Sequence, residues 1–149
     1  MAHYAGHVQL VTTALHGVRR GVTVTAACSV SDDPPTVLAC LNCSNPNNHI
    51  FLDSGVFAVN TLAVQHQAMA AAFAGFDGKT GDERFAMADW DSLVTGSPTL
   101  TDARAVFDCR LIEHKVMATH MILFGEVVGL RIGNGTPSLL FLDREWRSL

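Results

Sequence analysis

The sequence contains no apolar stretch long enough to span a membrane. Its opening residues, Met1-Ala-His-Tyr-Ala-Gly-His7, have neither the charge nor the apolar run of a secretory signal. A cytoplasmic protein with no membrane partner is therefore expected. Basic clusters are missing too. Arg19-Arg20 stands alone in a chain with ten Lys and Arg and a formal net charge of −4, which excludes nucleic acid as an expected partner. There is no G-x-G-x-x-G after a strand, and strands and helices do not alternate, so a parallel dinucleotide-binding sheet is disfavoured. No Ser-His-Asp set or carboxylate pair stands out. The histidines show no convincing metal spacing, since His49 and His66 lack a partner at i+4. Any redox or transfer chemistry must then come from a bound cofactor. Charge is sparse, 16% of residues against 48% hydrophobic, as expected if part of the surface is covered in an oligomer. With no linker, repeat or low-complexity tract, residues 1–149 are expected to form a single domain.

Four cysteines include Cys40-Leu-Asn-Cys43, formally a C-x-x-C. Three residues apart along a strand, the two side chains would face opposite ways. Without a secretory signal, buried thiols are the better reading than a disulfide or zinc site.

What is present is mostly β. His7 to Ala14 alternates as a strand, Leu15 to Gly21 reads as a turn region, and strands follow at about 22–29 and 36–42, joined by Asp32-Asp-Pro-Pro35. Asn45-Pro46 opens a short helix that stops before Gly55. Val56 to Thr61 is a strand, and Ala63 to Ala74 is the best-supported helix. Phe76 to Thr101 is loop-like, with a helical turn at 82–86. Two long β-runs cover 103–115 and 120–132, Gly133-Asn-Gly135 suits a tight hairpin, and Ser138 to Asp143 closes the sheet. Six or seven strands with two helices predict a mainly β fold, a barrel with short peripheral helices.

Some residues invite chemistry. Thr23, Thr25 and Ser29 are expected to alternate along one strand, either as a solvated face or as a polar floor whose hydroxyls and amides meet a flat heterocycle. Ser44 and Asn45 stand at a helix start, where free N–H groups either take a simple cap or attract a phosphate. Arg84 suits a phosphate through its planar fork, or pairs with Asp82 or Glu83 on the surface. His120 opens a long strand as either a turn residue or a ligand contact.

Taken in order, these segments resemble the short-chain flavin reductase family, whose members fold as an FMN-binding split β-barrel. Thr23-Val-Thr-Ala-Ala-Cys-Ser29 is similar to the family's T-A-T-A-x-C-S, with Val24 in place of Ala. Asn42-Cys-Ser44 resembles its N-x-S, and Lys79-Thr-Gly-Asp-Glu-Arg-Phe85 its K-x-x-D-R-F loop. Thr119-His120 falls where the family reads D-H, and Phe141 with Trp146 resembles its C-terminal aromatic pair. Tyr4-Ala-Gly-His-Val8 resembles its Y-x-x-G-V, so the chain starts inside the family's first motif and a preceding segment is expected.

The resemblance implies an oxidoreductase that uses NADH or NADPH to reduce FMN or FAD. It implies a flavin site made of Thr23, Thr25, Ala26, Ala27, Cys28, Ser29, Asn42, Cys43, Ser44, Asn48, Arg84 and Trp146, with His120 beside the nicotinamide, and a homodimer. The reduced flavin would serve a monooxygenase partner, as in the reductase component of 4-hydroxyphenylacetate 3-monooxygenase, or reduce a cobalt corrin, as in the cobalamin-pathway corrin reductase. A non-catalytic flavin- or haem-binding module on the same barrel is the alternative of another class.

Overall fold

A computed structural model describes residues 1–149. Seven strands build one antiparallel sheet: β2 (Gln9–Leu15), β3 (Val18–Val24), β4 (Ala27–Asp32), β5 (Pro35–Asn42), β6 (Val56–Thr61), β9 (Ala105–Met117) and β10 (His120–Ile132). Their spatial order is β3-β2-β6-β9-β10-β5-β4. The two edges, β3 and β4, are consecutive in sequence and separated only by Thr25 and Ala26. The sheet must therefore curl until its edges meet. At the seam the Cys40 N–H donates to the Ala26 carbonyl at 2.9 Å, and the Gln9 side-chain amide donates to the Ala27 carbonyl at 3.1 Å. The result is a barrel split along one line, with few unpaired edge groups left open.

Strand alternation divides the core in two. Inside the barrel Val11, Phe57, Val59, Leu41 and Leu123 pack around Phe51, which is fully buried and plugs one end from α1 (Ile50–Ser54). On the outer face Leu10, Ala58 and Val106, one residue out of step with the inner set, meet α2 (Gln67–Phe73) and α3 (Gly81–Phe85). Gly21 permits this layer, because a Cβ there would sit 2.6 Å from the Phe73 ring.

Two smaller sheets complete the molecule. β1 (Gly6–His7), β11 (Leu139–Leu142) and β12 (Glu145–Ser148) form one, and β7 (Trp90–Asp91) with β8 (Thr99–Leu100) the other. No helix is long and apolar enough to cross a membrane.

Several expectations are corrected. The turn over Leu15–Gly21 shrinks to His16-Gly17, both with positive φ, and β3 already begins at Val18, because a two-residue turn matches strand twist. The strand expected at 22–29 is broken at Thr25–Ala26, where the chain passes from one sheet edge to the other. The helix expected over 63–74 begins as a 3-10 turn at Val64–His66, with the Ala63 N–H donating to His66 Nδ1 at 3.0 Å. The 76–101 segment contains the β7–β8 pair as well as α3. Gly133-Asn-Gly135 is no hairpin, since neither glycine has positive φ. Gly133 is needed for space, as a Cβ there would collide with the Ala103 carbonyl. Accordingly Ser138–Asp143 does not close the main sheet, and β11 pairs with β1 and β12 instead.

Candidate functional site

The expected floor is split between two cavities. Thr23 and Thr25 line an apolar cavity of about 150 Å³ with Val8, Phe76, Phe141 and Trp146. Phe141 and Trp146 face each other edge-on with centroids 5.0 Å apart, so the structure unites Trp146 with the two threonines. Ala27, Cys28 and Ser29 lie beyond the break and line a separate cavity of about 250 Å³ with Gln9 and Phe107. The three hydroxyls therefore do not alternate along one strand. Thr23 is committed internally, its hydroxyl donating to the Ala70 carbonyl of α2 at 2.7 Å. A larger space of about 420 Å³ under α2, lined by His66, Met69 and Asp102, contains no predicted site residue.

A second group gathers where β5 ends and β10 begins. His120 lies opposite Asn42 in the ladder, and the Cys43 N–H donates to the Thr119 carbonyl at 2.9 Å. Asn42 Oδ1 accepts from the Ser44 N–H at 2.8 Å, bending the chain sharply after the strand. Asn48, 1% exposed, donates Nδ2 to the Asn42 carbonyl at 2.9 Å and locks that bend. The half-exposed His120 ring has its Nδ1 2.8 Å from the Thr119 hydroxyl. Here Asn42, Cys43, Ser44, Asn48 and His120 do come together. The helix start is a 3-10 turn (Pro46–His49) that runs directly into α1, and Asn45 Oδ1 already accepts from the Asn47 N–H there at 3.0 Å.

The positive charge comes from elsewhere. Arg84 sits on α3, whose first turn is closed by a capping box: Thr80 N–H donates to Glu83 at 2.7 Å, and Glu83 N–H donates to the Thr80 hydroxyl at 3.3 Å. This box takes Glu83, and Lys79 takes Asp77 at 3.0 Å. Arg84 makes no ion pair, and its buried Nε has no hydrogen-bond partner. The surface-pair reading of Arg84 is overturned.

Arg20 was missed. Its Nε and Nη2 both donate to Asn48 Oδ1, at 3.0 and 2.9 Å. Burial first, and the charge of Arg84 second, push its pKa below the ordinary value. The available signal was its position on β3, in step with Val22 and Val24, which pack into the barrel core. All four cysteines are free, but the expectation of buried thiols holds only for Cys109: Cys28 is exposed because it lies on the edge strand β4, and Cys40 and Cys43 are half-buried. Burial pushes the Cys109 thiol up to about 12, and burial followed by the neighbouring Cys28 raises that of Cys40.

A split barrel with a buried arginine nitrogen that has no partner, and with a polar bend at a strand end, suits a phosphorylated aromatic ligand. Comparison with known proteins decides the family. A family model described as the flavin reductase like domain matches residues 1–149. The chain belongs to the flavin reductase family. This family member is 44% identical over 149 residues to a Methylorubrum extorquens (strain PA1) protein named FMN reductase (NADH) RutF 2, covering 100% of this chain and 86% of that one. A Haemophilus somnus 129PT structure described as a flavin reductase superposes with a TM-score of 0.95 at 37% identity, covering 100% and 94% of the two chains. Flavin reductase HpaC complexed with NADP+ does so at 0.88 and 27% identity, covering 100% and 93%. The chain is an oxidoreductase of flavin and nicotinamide nucleotides.

Proposed function

We propose that this flavin reductase passes a hydride from NADH to FMN, as a homodimer of single-domain subunits built from residues 1–149. The observation that carries the reading is the buried Arg84 Nε, a charged donor without an acceptor, which fits the phosphate of a flavin nucleotide. The name FMN reductase (NADH) carried by a relative at 44% identity supports the choice of nucleotides.

When bound, the flavin supplies the ring that accepts the hydride. The protein's work is placement. Asn42, Cys43, Ser44 and Asn48 form the bend that holds the ribityl and phosphate end, with Arg84 compensating its charge. Thr25 and Ala26 at the seam, flanked by Thr23 on one side and Ala27, Cys28 and Ser29 on the other, border the ring, with Trp146 closing one wall. His120, opposite Asn42 in the ladder, would contact and orient the nicotinamide. The exposed Ile112, Val116 and Met117 of β9 supply apolar surface for a second subunit.

The test is an anaerobic NADH-oxidation assay with FMN, FAD and a cob(II)alamin-type acceptor offered side by side. NADH oxidation stoichiometric with FMN reduction is expected. Transfer of electrons to a monooxygenase and reduction of a corrin both need that same placement, and corrin reduction that requires the protein together with FMN, and is not reproduced by pre-reduced FMN alone, would favour the corrin acceptor. Quenching of flavin fluorescence with no NADH oxidation would make the protein a binding module.

A further inference from the structure

The cavity of about 420 Å³ under α2 brings Met69 and Met87 together with His66, Asp89 and Asp102. His66 is the one buried histidine of the chain, 6% exposed. Its Nδ1 accepts from the Ala63 N–H at 3.0 Å, which leaves the proton of the neutral ring on Nε2. Nε2 lies 3.1 Å from Asp102 Oδ1, within reach of its charge but off the line of a hydrogen bond, so this buried donor has no acceptor. Folded chains answer nearly all such donors, and one left open at a cavity calls for an explanation. The two carboxylates are also unanswered, since no Lys or Arg pairs with Asp89 or Asp102. Thr101 holds them side by side, its N–H and its hydroxyl both donating to the Asp89 carbonyl at 3.2 Å.

We propose that this cavity is a second binding site, for a small neutral cyclic amide whose carbonyl accepts from His66 Nε2–H and whose N–H donates to Asp102. A donor and an acceptor side by side match the N–H and C=O of a cis amide. A ring enforces that geometry, whereas an open-chain secondary amide is trans and points the two groups opposite ways. Asp102, with 61% of its side chain exposed, has room to turn from its misaligned position and meet the ligand N–H. Other ligand classes fit less well. An anion would face two carboxylates, a simple cation would leave Nε2 open, and no three ligating side chains converge to hold a metal ion. The thioethers of Met69 and Met87 adapt to a flat ring. The volume falls within the range of about 300–1,000 Å³ usual for small-molecule sites. None of the residues assigned to the flavin or the nicotinamide lines this cavity, so the inference stands apart from that reading.

The experiment titrates valerolactam, N-methylvalerolactam and piperidine, three compounds built on one ring size, into isotopically labelled protein near neutral pH. NMR follows the His66 imidazole nitrogens and the backbone amides of Gln65 to Met69. Valerolactam should give saturable shifts and move the Nε2 resonance. The N-methyl compound, which lacks the donor, should bind about tenfold more weakly. Asp102→Ala should weaken valerolactam by about tenfold, the range for a hydrogen bond to a charged group, and leave the N-methyl compound within about twofold. Flavin fluorescence quenching and the melting temperature should be the same in wild type and Asp102→Ala. Asp102→Asn, which keeps an acceptor oxygen, should lose less and replaces the Ala variant if that one does not fold. Equal affinity for the lactam and its N-methyl derivative would reduce the site to an apolar cavity and overturn the proposal. Tighter binding of piperidine would make it a cation site, and an unmoved Nε2 or the absence of saturable shifts would overturn it outright.

Discussion

Arg131 and Arg84 present the same side chain in opposite circumstances. Arg131, near the end of β10, forks onto both oxygens of Asp91 at 2.8 and 2.7 Å and reaches the Leu100 carbonyl at 3.3 Å. Thr99 adds its hydroxyl to Asp91 at 2.5 Å. The charge there is answered within the chain, Arg131 Nη2 donating to both Asp91 oxygens, and the result is a strap that fixes the β7–β8 pair to the barrel. At Arg84 the buried Nε is left without a partner. A satisfied arginine stabilises the fold, whereas an unsatisfied one marks where a ligand completes it.

Breaking the unsatisfied side should have the larger effect on binding. Arg84→Ala is expected to weaken FMN by roughly 1.5–3 kcal/mol, the range for a charge-assisted hydrogen bond. Because the removed group has no partner in the chain, stability should change by less than about 0.5 kcal/mol. Isothermal titration and urea unfolding on the same preparation check both. Lost stability with unchanged FMN affinity would place Arg84 in the same class as Arg131.

Breaking the satisfied side should do the reverse. Arg131→Ala should leave FMN affinity intact and cost about 1 kcal/mol of stability, the upper range for a partly exposed pair. Burial tends to raise the Asp91 pKa, but the Arg131 fork and the Thr99 hydroxyl outweigh it and hold the carboxyl below its ordinary value. A depressed folded pKa gives stability that is present above the unfolded value of about 3.9 and lost as pH falls through the folded one. The gap between wild type and Arg131→Ala should therefore be full at pH 7 and close in acid below about pH 3.9. Urea midpoints at pH 7 and at successive pH values below about 3.9 measure it, and a gap that does not shrink as the pH falls would contradict the ion-pair account.

The same contrast explains what could be read in the sequence. The barrel strands were legible because burial on both faces leaves apolar runs, as in Val56 to Thr61, found with its bounds unchanged. The break at Thr25–Ala26 was not, because nothing local distinguishes a continuous strand from one that leaves one sheet edge for the other. Gly133-Asn-Gly135 misled for a related reason, since glycine serves close approach as well as positive φ. In the site, the Asn42–Ser44 bend was visible as a motif, while Arg20 was hidden. Its step with Val22 and Val24 points it into the barrel, but its contact with Asn48, 28 residues on, has no local sequence signature.

His120 tests the comparison at its smallest scale, because it belongs to neither class. Its ring is half exposed, and its neighbouring Thr119 hydroxyl is the one partner it has. It lies across the ladder from Asn42, close to the bend. If it orients the nicotinamide by contact, removal should cost about 0.5 kcal/mol, the lower range for an aromatic contact, or roughly a doubling of KM for NADH. The FMN dissociation constant should stay unchanged, because the contact is with the other nucleotide. The reduction rate should also be flat across the range where imidazoles titrate, since packing against a ring transfers no proton. Stopped-flow reduction of bound FMN by NADH, in wild type and His120→Ala between pH 5.5 and 8.5, reads all three. Equal rates and KM values would make His120 a turn residue. A pH dependence present in wild type and absent from the variant would instead make it a proton donor or acceptor, a role that geometry at the open end of β10 leaves room for but does not require.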